Sequence, residues 1–307
     1  MKIRLALLAC AGLSIASASA QSTPWPPPPG HLTVRLWPGV APGEEPNQPP
    51  EADTTNPQNN NLIAGRPLVR LGHVSVPTLT LFKPQGKSNG AAVVVFPGGG
   101  YQILAIDLEG TEVCDWLNAA GVTCVLAKYR VPNTGPYPKS PAALQDAQRA
   151  VSLVRQHASE WGIDPSRVGV LGFSAGGHLA AAISTHFDQR LYPAVDEADK
   201  LSCRPDFAVV VYPGYLALAD KNYAANADIN PTSKTPPTFI VQAEDDPVHI
   251  ENSTVYFLQL KNANVPAELH IYAAGGHGYG LRPQAGLPVT TWPQSVETWL
   301  HTIGILK

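Results

Sequence analysis

A serine between glycines follows an apolar run near the middle of the chain. Residues 168–176 read VGVLGFSAG, so a G-x-S-x-G motif stands between a strand-like run and the helix-like stretch 175–186. Glycines in this motif allow a sharp strand-to-helix turn, which raises the serine Oγ above the sheet. A serine in that position becomes a nucleophile once an adjacent base takes its proton. We therefore predict that Ser174 attacks a carbonyl carbon.

Three histidines are candidates for the base that activates Ser174. His178 lies one helical turn after the serine, so its side chain would run along the helix instead of approaching Oγ from the side. We expect His178 to be a packed, hydrogen-bonded helix residue. His277 follows the apolar run AELHIY and a pair of glycines that let the chain turn, whereas His270 lies inside that run. The sequence therefore predicts His277 as the general base.

Three adjacent carboxylates follow the preceding apolar run, PTFIVQA. They are Glu244, Asp245 and Asp246, and any of them is a candidate to orient the base and stabilise its charged form. Asp246 stands before a proline at the start of the next loop, which is the favoured position for the acid. Asp245 remains the alternative.

A glycine run, residues 98–100, follows the apolar run AAVVVF. The main-chain N–H groups of Gly99 and Gly100, together with that of Ala175, are predicted to bind the negatively charged oxygen that forms during acyl transfer. The run is not a phosphate-binding loop, because no Lys-Ser/Thr follows it and G-x-G-x-x-G is absent. No CxxC or Cys/His ligand spacing is present either. This chemistry requires neither a metal nor an organic cofactor.

The elements that must position these groups follow from the hydrophobic pattern. Short β-branched runs alternate with five helix-like stretches, at 107–120, 142–161, 175–186, 250–264 and 292–303. This alternation predicts an α/β fold with a mostly parallel central sheet, helices on both faces and an edge strand within 31–39. Residues 215–236 are too few for a large lid domain. Functional residues should lie at the carboxyl ends of the strands, and the candidates above follow the apolar runs.

Composition and the N-terminal pattern limit the binding partners, the cellular location and the domain organisation that are possible. The 307 residues are 44% hydrophobic and 15% charged, with a net charge of −3 and no basic run. Nucleic acid is therefore a disfavoured partner, and nothing indicates an obligate protein partner. Residues 1–20 read as a signal peptide cleaved near Ala20, whose apolar run is too short to span a membrane. We expect export, a Pro-rich tether over 21–30 and one catalytic domain over 31–307.

The mature chain would keep three cysteines. Cys114 and Cys124 fall in apolar segments, where a buried, small hydrophobic role is the commoner one. An exported protein can also oxidise one pair among Cys114, Cys124 and Cys203, and the spacing leaves the pairing open.

The chain resembles the α/β-hydrolase superfamily and, more narrowly, the secreted carbohydrate esterases of the bifunctional feruloyl and acetyl-xylan esterase group. The segments that carry the resemblance include LWPGVAPG (36–43), FPGGGY (96–101), LEG (108–110), KYRV (128–131), WGIDPSRVGVLGFSAGGHLA (161–180), DDPVHIENS (245–253), VPAELHIYAAGGHGYGL (265–281) and WPQSVETWL (292–300). The resemblance implies the same nucleophile, acid, base and oxyanion-binding amides. The chain departs from the pattern of this group at Gln242-Ala243, where such relatives often carry His-Gly, and at residues 248–250, where they often read VVP.

The resemblance also implies an acylated carbohydrate as substrate, most simply an acetyl ester on xylan. A feruloyl ester and a small ester cleaved by a general short-chain carboxylesterase are the alternatives. Four loop aromatics near the strand ends are candidates for stacking on sugar rings or, equally, for packing within the loops: Tyr101, Tyr215, Tyr279 and Trp292.

Overall fold

The apolar runs form one mixed sheet in the computed structural model, which describes residues 25, 29–44, 48–56, 58 and 62–307. Its eight strands are β1 (Leu32–Arg35), β2 (Thr78–Phe82), β3 (Ala92–Phe96), β4 (Thr123–Lys128), β5 (Val168–Phe173), β6 (Ala208–Val211), β7 (Thr238–Ala243) and β8 (Ala267–Tyr272). The spatial order is β1-β2-β4-β3-β5-β6-β7-β8. Strand β2 is antiparallel to β1 and to β4, and every other pairing is parallel. The predicted α/β class and the edge strand are confirmed.

Both faces of the central strands are covered. Every residue of β3 to β7 is buried, although successive side chains point to opposite faces of a sheet. In the middle, Val94 of β3 pairs with Val125 of β4 and with Val170 of β5. The β-branched runs therefore mark strands that lie between two layers of helices.

Among the described residues, six α-helices flank the sheet: α1 (Glu112–Ala119), α2 (Ala142–Gln156), α3 (Ala158–Trp161), α4 (Ala175–Thr185), α5 (Glu251–Asn262) and α6 (Trp292–Thr302). The stretch predicted as one helix over 142–161 is divided at His157, which has a non-helical backbone (φ −91°, ψ 6°). The first turn of the helix predicted at 107–120 is a π-helical segment, Asp107–Thr111.

Short elements connect these layers. One small sheet has three strands, Ala52–Asp53, Arg70–Gly72 and Leu104–Ala105. A second small sheet has two strands, Ala217–Leu218 and Ala224–Ala225. Single 3₁₀ turns occur at Glu197–Lys200, Ala219–Lys221 and Pro288–Thr291. The connection between β6 and β7 carries only the second small sheet and one of these turns. In the part of the chain that is described, no helix has the length and apolar character needed to cross a membrane.

Two of the three cysteines in the described part of the chain are bonded to each other. Cys114 on α1 and Cys124 on β4 form a disulfide, while Cys203 is a buried free thiol. Both bonded cysteines are fully buried, as expected for their apolar segments. The expectation that they act simply as small hydrophobic residues is corrected, because α1 packs on β4 and brings the two sulfurs together. The proposed leader, residues 1–20, lies outside the described residues.

Candidate active site

Ser174 sits at a sharp turn between β5 and α4. Its backbone has a positive φ of 52° with ψ −116°, which is strained for a residue other than glycine. The flanking glycines permit this turn, because neighbouring backbone atoms lie too close to them to leave room for a Cβ. A Cβ on Gly172 would lie 1.9 Å from the carbonyl oxygen of Gly176, and a Cβ on Gly176 would lie 2.0 Å from that of Phe96. The packing of β5, α4 and β3 therefore holds the serine at the carboxyl end of the sheet.

A hydrogen-bonded chain joins Ser174, His277 and Asp246. His277 Nε2 lies 2.9 Å from Ser174 Oγ, and His277 Nδ1 lies 2.9 Å from Asp246 Oδ2. The carboxylate also accepts hydrogen bonds from Gln242 Nε2 (2.9 Å) and from the Val248 amide (2.7 Å). With its Nδ1 proton directed at the carboxylate, the imidazole presents Nε2 as the acceptor for the serine proton. The structure thus brings together the three residues that the sequence proposes as nucleophile, base and acid.

The neighbouring carboxylates have other surroundings. Asp245, the alternative acid, accepts hydrogen bonds from the amides of Gly275 (2.9 Å) and Gly276 (2.8 Å). It holds the loop that presents His277, while Glu244 is exposed. Gln242 stands where relatives of the resembled group often carry histidine, and it supports the carboxylate of Asp246 directly.

The two rejected histidines lie elsewhere. His178 is fully buried, and its Nδ1 lies 2.8 Å from Tyr101 Oη. Burial, assisted by the charge of His186, lowers the pKa of His178 to about 3, so it remains neutral at ordinary pH. His270 lies within β8 with its Nε2 2.6 Å from Glu268 Oε1. The structure places both outside the chain of hydrogen bonds to Ser174.

The glycine run after β3 passes beside the serine. Gly100 and Ser174 line the same cleft, and the amide of Ala175 is the first of α4, where it has no acceptor within the helix. Gly99 has a φ of 132°, and a Cβ there would lie 2.1 Å from the carbonyl oxygen of Ile103. The amide of Gly98 is already engaged by Glu109 Oε2 at 2.7 Å. The amides of Gly99, Gly100 and Ala175 remain the predicted oxyanion-binding groups.

A cleft of about 760 Å³ opens above Ser174. Three tyrosines line it: Tyr137, Tyr215 and Tyr223. Tyr215 exposes 40% of its surface, and Tyr223 Oη lies 3.2 Å from Nδ1 of His249, which also lines the cleft. Of the four predicted stacking residues, only Tyr215 lies in this cleft.

The other three predicted stacking residues require correction. Tyr101, Tyr279 and Trp292 are each no more than 2% exposed, so no ring face is open to a sugar. The indole of Trp292 donates to the carbonyl of Gly280 at 2.8 Å, and the Tyr279 ring packs 4.6 Å from that of Tyr212. Trp292 and Tyr279 thus support the loop that carries His277, whereas Tyr101 packs against His178. Trp292 is the first residue of α6 and not a loop residue, and the loop positions of Tyr101 and Tyr279 do not distinguish a packed ring from an exposed one.

Sequence reasoning missed Glu109 and Tyr212 as residues of the site. Tyr212 follows β6 directly, so the rule that functional residues follow strands provides a signal for it. Glu109 is the centre of the LEG segment, which carries the family resemblance without a role assigned to its acid. Both side chains are buried and hydrogen-bonded to each other.

No metal site is evident in the described parts of the chain. Within them, no group of three or more His, Cys, Asp or Glu side chains is arranged to hold a metal ion. The residues at Ser174 are suited to proton transfer and nucleophilic attack.

The rate of ester hydrolysis is expected to fall in acid, because an imidazole base accepts the serine proton only in its neutral form. Burial lowers the pKa of His178 to about 3, so this residue does not account for the loss. The measurement is the pH dependence of kcat/KM for p-nitrophenyl acetate. A rate that does not fall in acid would contradict the role given to His277.

A family model of the alpha/beta hydrolase fold matches residues 93–231. The chain is 32% identical over 217 residues to an acetylxylan esterase of Xylanibacter ruminicola, which covers 66% of this chain but 44% of that protein. It is 28% identical over 238 residues to a carboxylesterase of Mycobacterium tuberculosis, covering 68% of this chain and 72% of that protein. The chain thus spans less than half the length of the acetylxylan esterase.

A solved structure matches over nearly the whole length of both chains. It is an acetyl ester-xyloside bifunctional hydrolase from Caldicellulosiruptor lactoaceticus, with a TM-score of 0.70 and 34% identity. The match covers 90% of this chain and 97% of that chain.

Proposed function

The chain belongs to the α/β-hydrolase family, and we propose on that premise that it is a serine esterase that removes acetyl groups from plant cell-wall polysaccharides such as xylan. The observation that carries the proposal is the chain of hydrogen bonds from Asp246 through His277 to Ser174 at the floor of an open cleft. The resemblance to proteins named for acetylxylan and acetyl ester-xyloside hydrolysis supports the choice of ester.

The geometry accounts for each step of acyl transfer. Ser174 Oγ bonds to the ester carbonyl carbon while its proton passes to His277 Nε2, and Asp246 stabilises the resulting imidazolium. The predicted amides receive the negatively charged carbonyl oxygen. The sugar hydroxyl then leaves with the proton from His277, and an acetyl group remains on Ser174. Water, deprotonated by His277, releases acetate and restores the serine.

The shape and lining of the cleft support a carbohydrate as the alcohol part of the ester. Its volume of about 760 Å³ falls within the range of small-molecule sites. Tyrosine rings offer apolar faces beside a hydroxyl, which suits the mixed apolar and polar surface of a pyranose. A bulky, polar alcohol can extend out of this open site, since no large lid lies between β6 and β7.

A general short-chain carboxylesterase is the second candidate. The likeness to a mycobacterial carboxylesterase favours it, because that match covers a larger share of the relative than does the match to the acetylxylan esterase. Both candidates use the same three residues and differ in the alcohol that the cleft accepts.

Acetate release from natively acetylated xylan distinguishes the candidates. The protein is incubated with the polymer and, in parallel, with p-nitrophenyl acetate and a feruloylated arabinoxylan fragment. Acetate from both acetyl substrates supports the proposal. Cleavage of p-nitrophenyl acetate alone would favour the carboxylesterase, and release of ferulate in place of acetate would assign the protein as a feruloyl esterase.

We also propose that the protein is exported. The charged, apolar and small-residue regions of residues 1–20 support this, as does the disulfide between Cys114 and Cys124, since such bonds persist in oxidising compartments. The intact mass of the protein recovered from its native host should correspond to a chain that starts near Gln21. A mass that retains residues 1–20 would contradict export by cleavage.

A further inference from the structure

A second buried carboxylate lies beneath the site and is not part of the Ser–His–Asp chain. Glu109, in the segment Asp107–Thr111, is only 4% exposed. Its Oε2 accepts the amide N–H of Gly98 at 2.7 Å, and its Oε1 accepts the hydroxyl proton of Tyr212 at 2.8 Å. A buried carboxylate is costly unless its oxygens are hydrogen-bonded, and each oxygen of Glu109 has a donor.

Tyr212 continues this chain of contacts to the loop that carries the base. Its Oη donates to Glu109 and accepts the amide N–H of Gly280 at 3.0 Å. Its ring lies edge-on to the imidazole of His277, with 5.0 Å between ring centroids. A continuous path therefore runs from Gly98, beside the oxyanion-binding glycines, through Glu109 and Tyr212 to Gly280.

Close packing strengthens the same connection. A Cβ on Gly280 would lie 2.7 Å from Leu108 Cδ1 and 3.0 Å from the Leu108 carbonyl oxygen. The loop of His277 thus rests directly on the residue before Glu109. The indole of Trp292 holds the Gly280 carbonyl from the other side.

We propose that Glu109 is a positioning residue that, through Tyr212, fixes the oxyanion-binding glycines and the loop of His277 in register with each other. This inference rests on the proposed function, because it concerns the geometry of ester hydrolysis at Ser174. The two loops supply opposite sides of the reaction: one stabilises the oxyanion and the other moves the proton. A relative displacement of a fraction of an ångström would misalign both for the same transition state.

The charge of Glu109 adds an electrostatic effect. Burial raises the pKa of Glu109, while the Tyr212 hydroxyl, the charge on His277 and the Gly98 amide lower it. The Glu109 carboxylate therefore lies close enough to stabilise the positive charge that the His277 imidazole carries during each step. Other ionisable side chains that interact with Glu109 or Tyr212 are Asp107, Tyr129 and Tyr279, and Asp246 faces His277. Removal of the Glu109 charge should therefore lower kcat more than it changes KM.

The test uses Glu109→Gln, which keeps the size of the side chain but can accept only one of the two hydrogen bonds. Tyr212→Phe keeps the ring against His277 and removes only the hydroxyl link. Glu112→Gln is the matched control. Glu112 lies three residues after Glu109, and its carboxylate pairs with Arg66 and Arg282. The full-length protein and each variant are compared by kcat and KM for p-nitrophenyl acetate, with thermal unfolding measured in parallel.

We expect Glu109→Gln to lower kcat at least ~10-fold with little change in KM. Tyr212→Phe should also lower kcat with little change in KM. Glu112→Gln should reduce thermal stability without changing either kinetic readout.

Wild-type kcat in a folded Glu109→Gln would overturn the inference and leave the proposed function intact. If Glu109→Gln does not fold, the Tyr212→Phe result decides, and a wild-type kcat there overturns it. A wild-type protein that does not hydrolyse the ester would instead contradict the proposed function, and the inference with it.

Discussion

Replacing Ser174 with alanine is expected to lower the turnover of an acetyl ester at least ~10³-fold. The substitution removes Oγ, the atom that lies 2.9 Å from His277 Nε2. The protein should remain folded, because alanine has the same Cβ as serine at this strained backbone position and leaves the two flanking glycines unchanged. The measurement is kcat for p-nitrophenyl acetate, with circular dichroism and thermal unfolding as controls. A folded variant that keeps the wild-type rate would contradict the assignment of the nucleophile.

Replacing Asp246 with asparagine is expected to lower kcat by about 10²- to 10⁴-fold. Oδ2 of Asp246 accepts hydrogen bonds from both His277 Nδ1 and Gln242 Nε2, while Oδ1 accepts one from the Val248 amide. Asparagine has only one accepting oxygen for these donors. The imidazole would then turn to the tautomer that carries its proton on Nε2, which cannot accept the proton of Ser174.

Asp245→Asn is the matched control for this prediction. Its Oδ1 accepts both glycine amides, at 2.9 and 2.8 Å, and the side-chain oxygen of asparagine can do the same. The rate should therefore remain within about threefold of the wild-type rate. A large loss at Asp245 and none at Asp246 would reverse the two roles. The pair of variants separates the carboxylate that faces the imidazole from the one that holds its loop.

The local pattern of the sequence was sufficient to predict the main strands and most of the helix limits. The runs that became β3 to β7 are short and mostly apolar, with many β-branched residues, since both faces of those strands are buried. Helix α4 begins at Ala175, directly after the elbow, as the motif requires. The candidates for nucleophile, base and acid could be chosen because each follows a strand, and strands that run in parallel bring their carboxyl ends to one edge of the sheet.

The features that were not predicted depend on contacts between distant segments. Tyr101 and Tyr215 both follow strands in glycine-containing loops, yet only the first is enclosed, by His178 and neighbouring rings. The disulfide depends on how α1 packs against β4, which the spacing of Cys114 and Cys124 does not determine. Glu109 was overlooked for a similar reason: its partners, Gly98 and Tyr212, come from two other connections of the sheet.

The central claim is that Ser174 is the nucleophile of a hydrolase, and covalent trapping tests it most directly. The protein is incubated with a fluorophosphonate, whose phosphorus is attacked by an activated serine with loss of fluoride, and the modified residue is identified by peptide mass spectrometry. We predict one adduct per chain, on Ser174, with loss of esterase activity in proportion to labelling and much slower labelling of Asp246→Asn. Full inactivation with the adduct on another residue, or continued hydrolysis by a protein fully labelled at Ser174, would contradict the account.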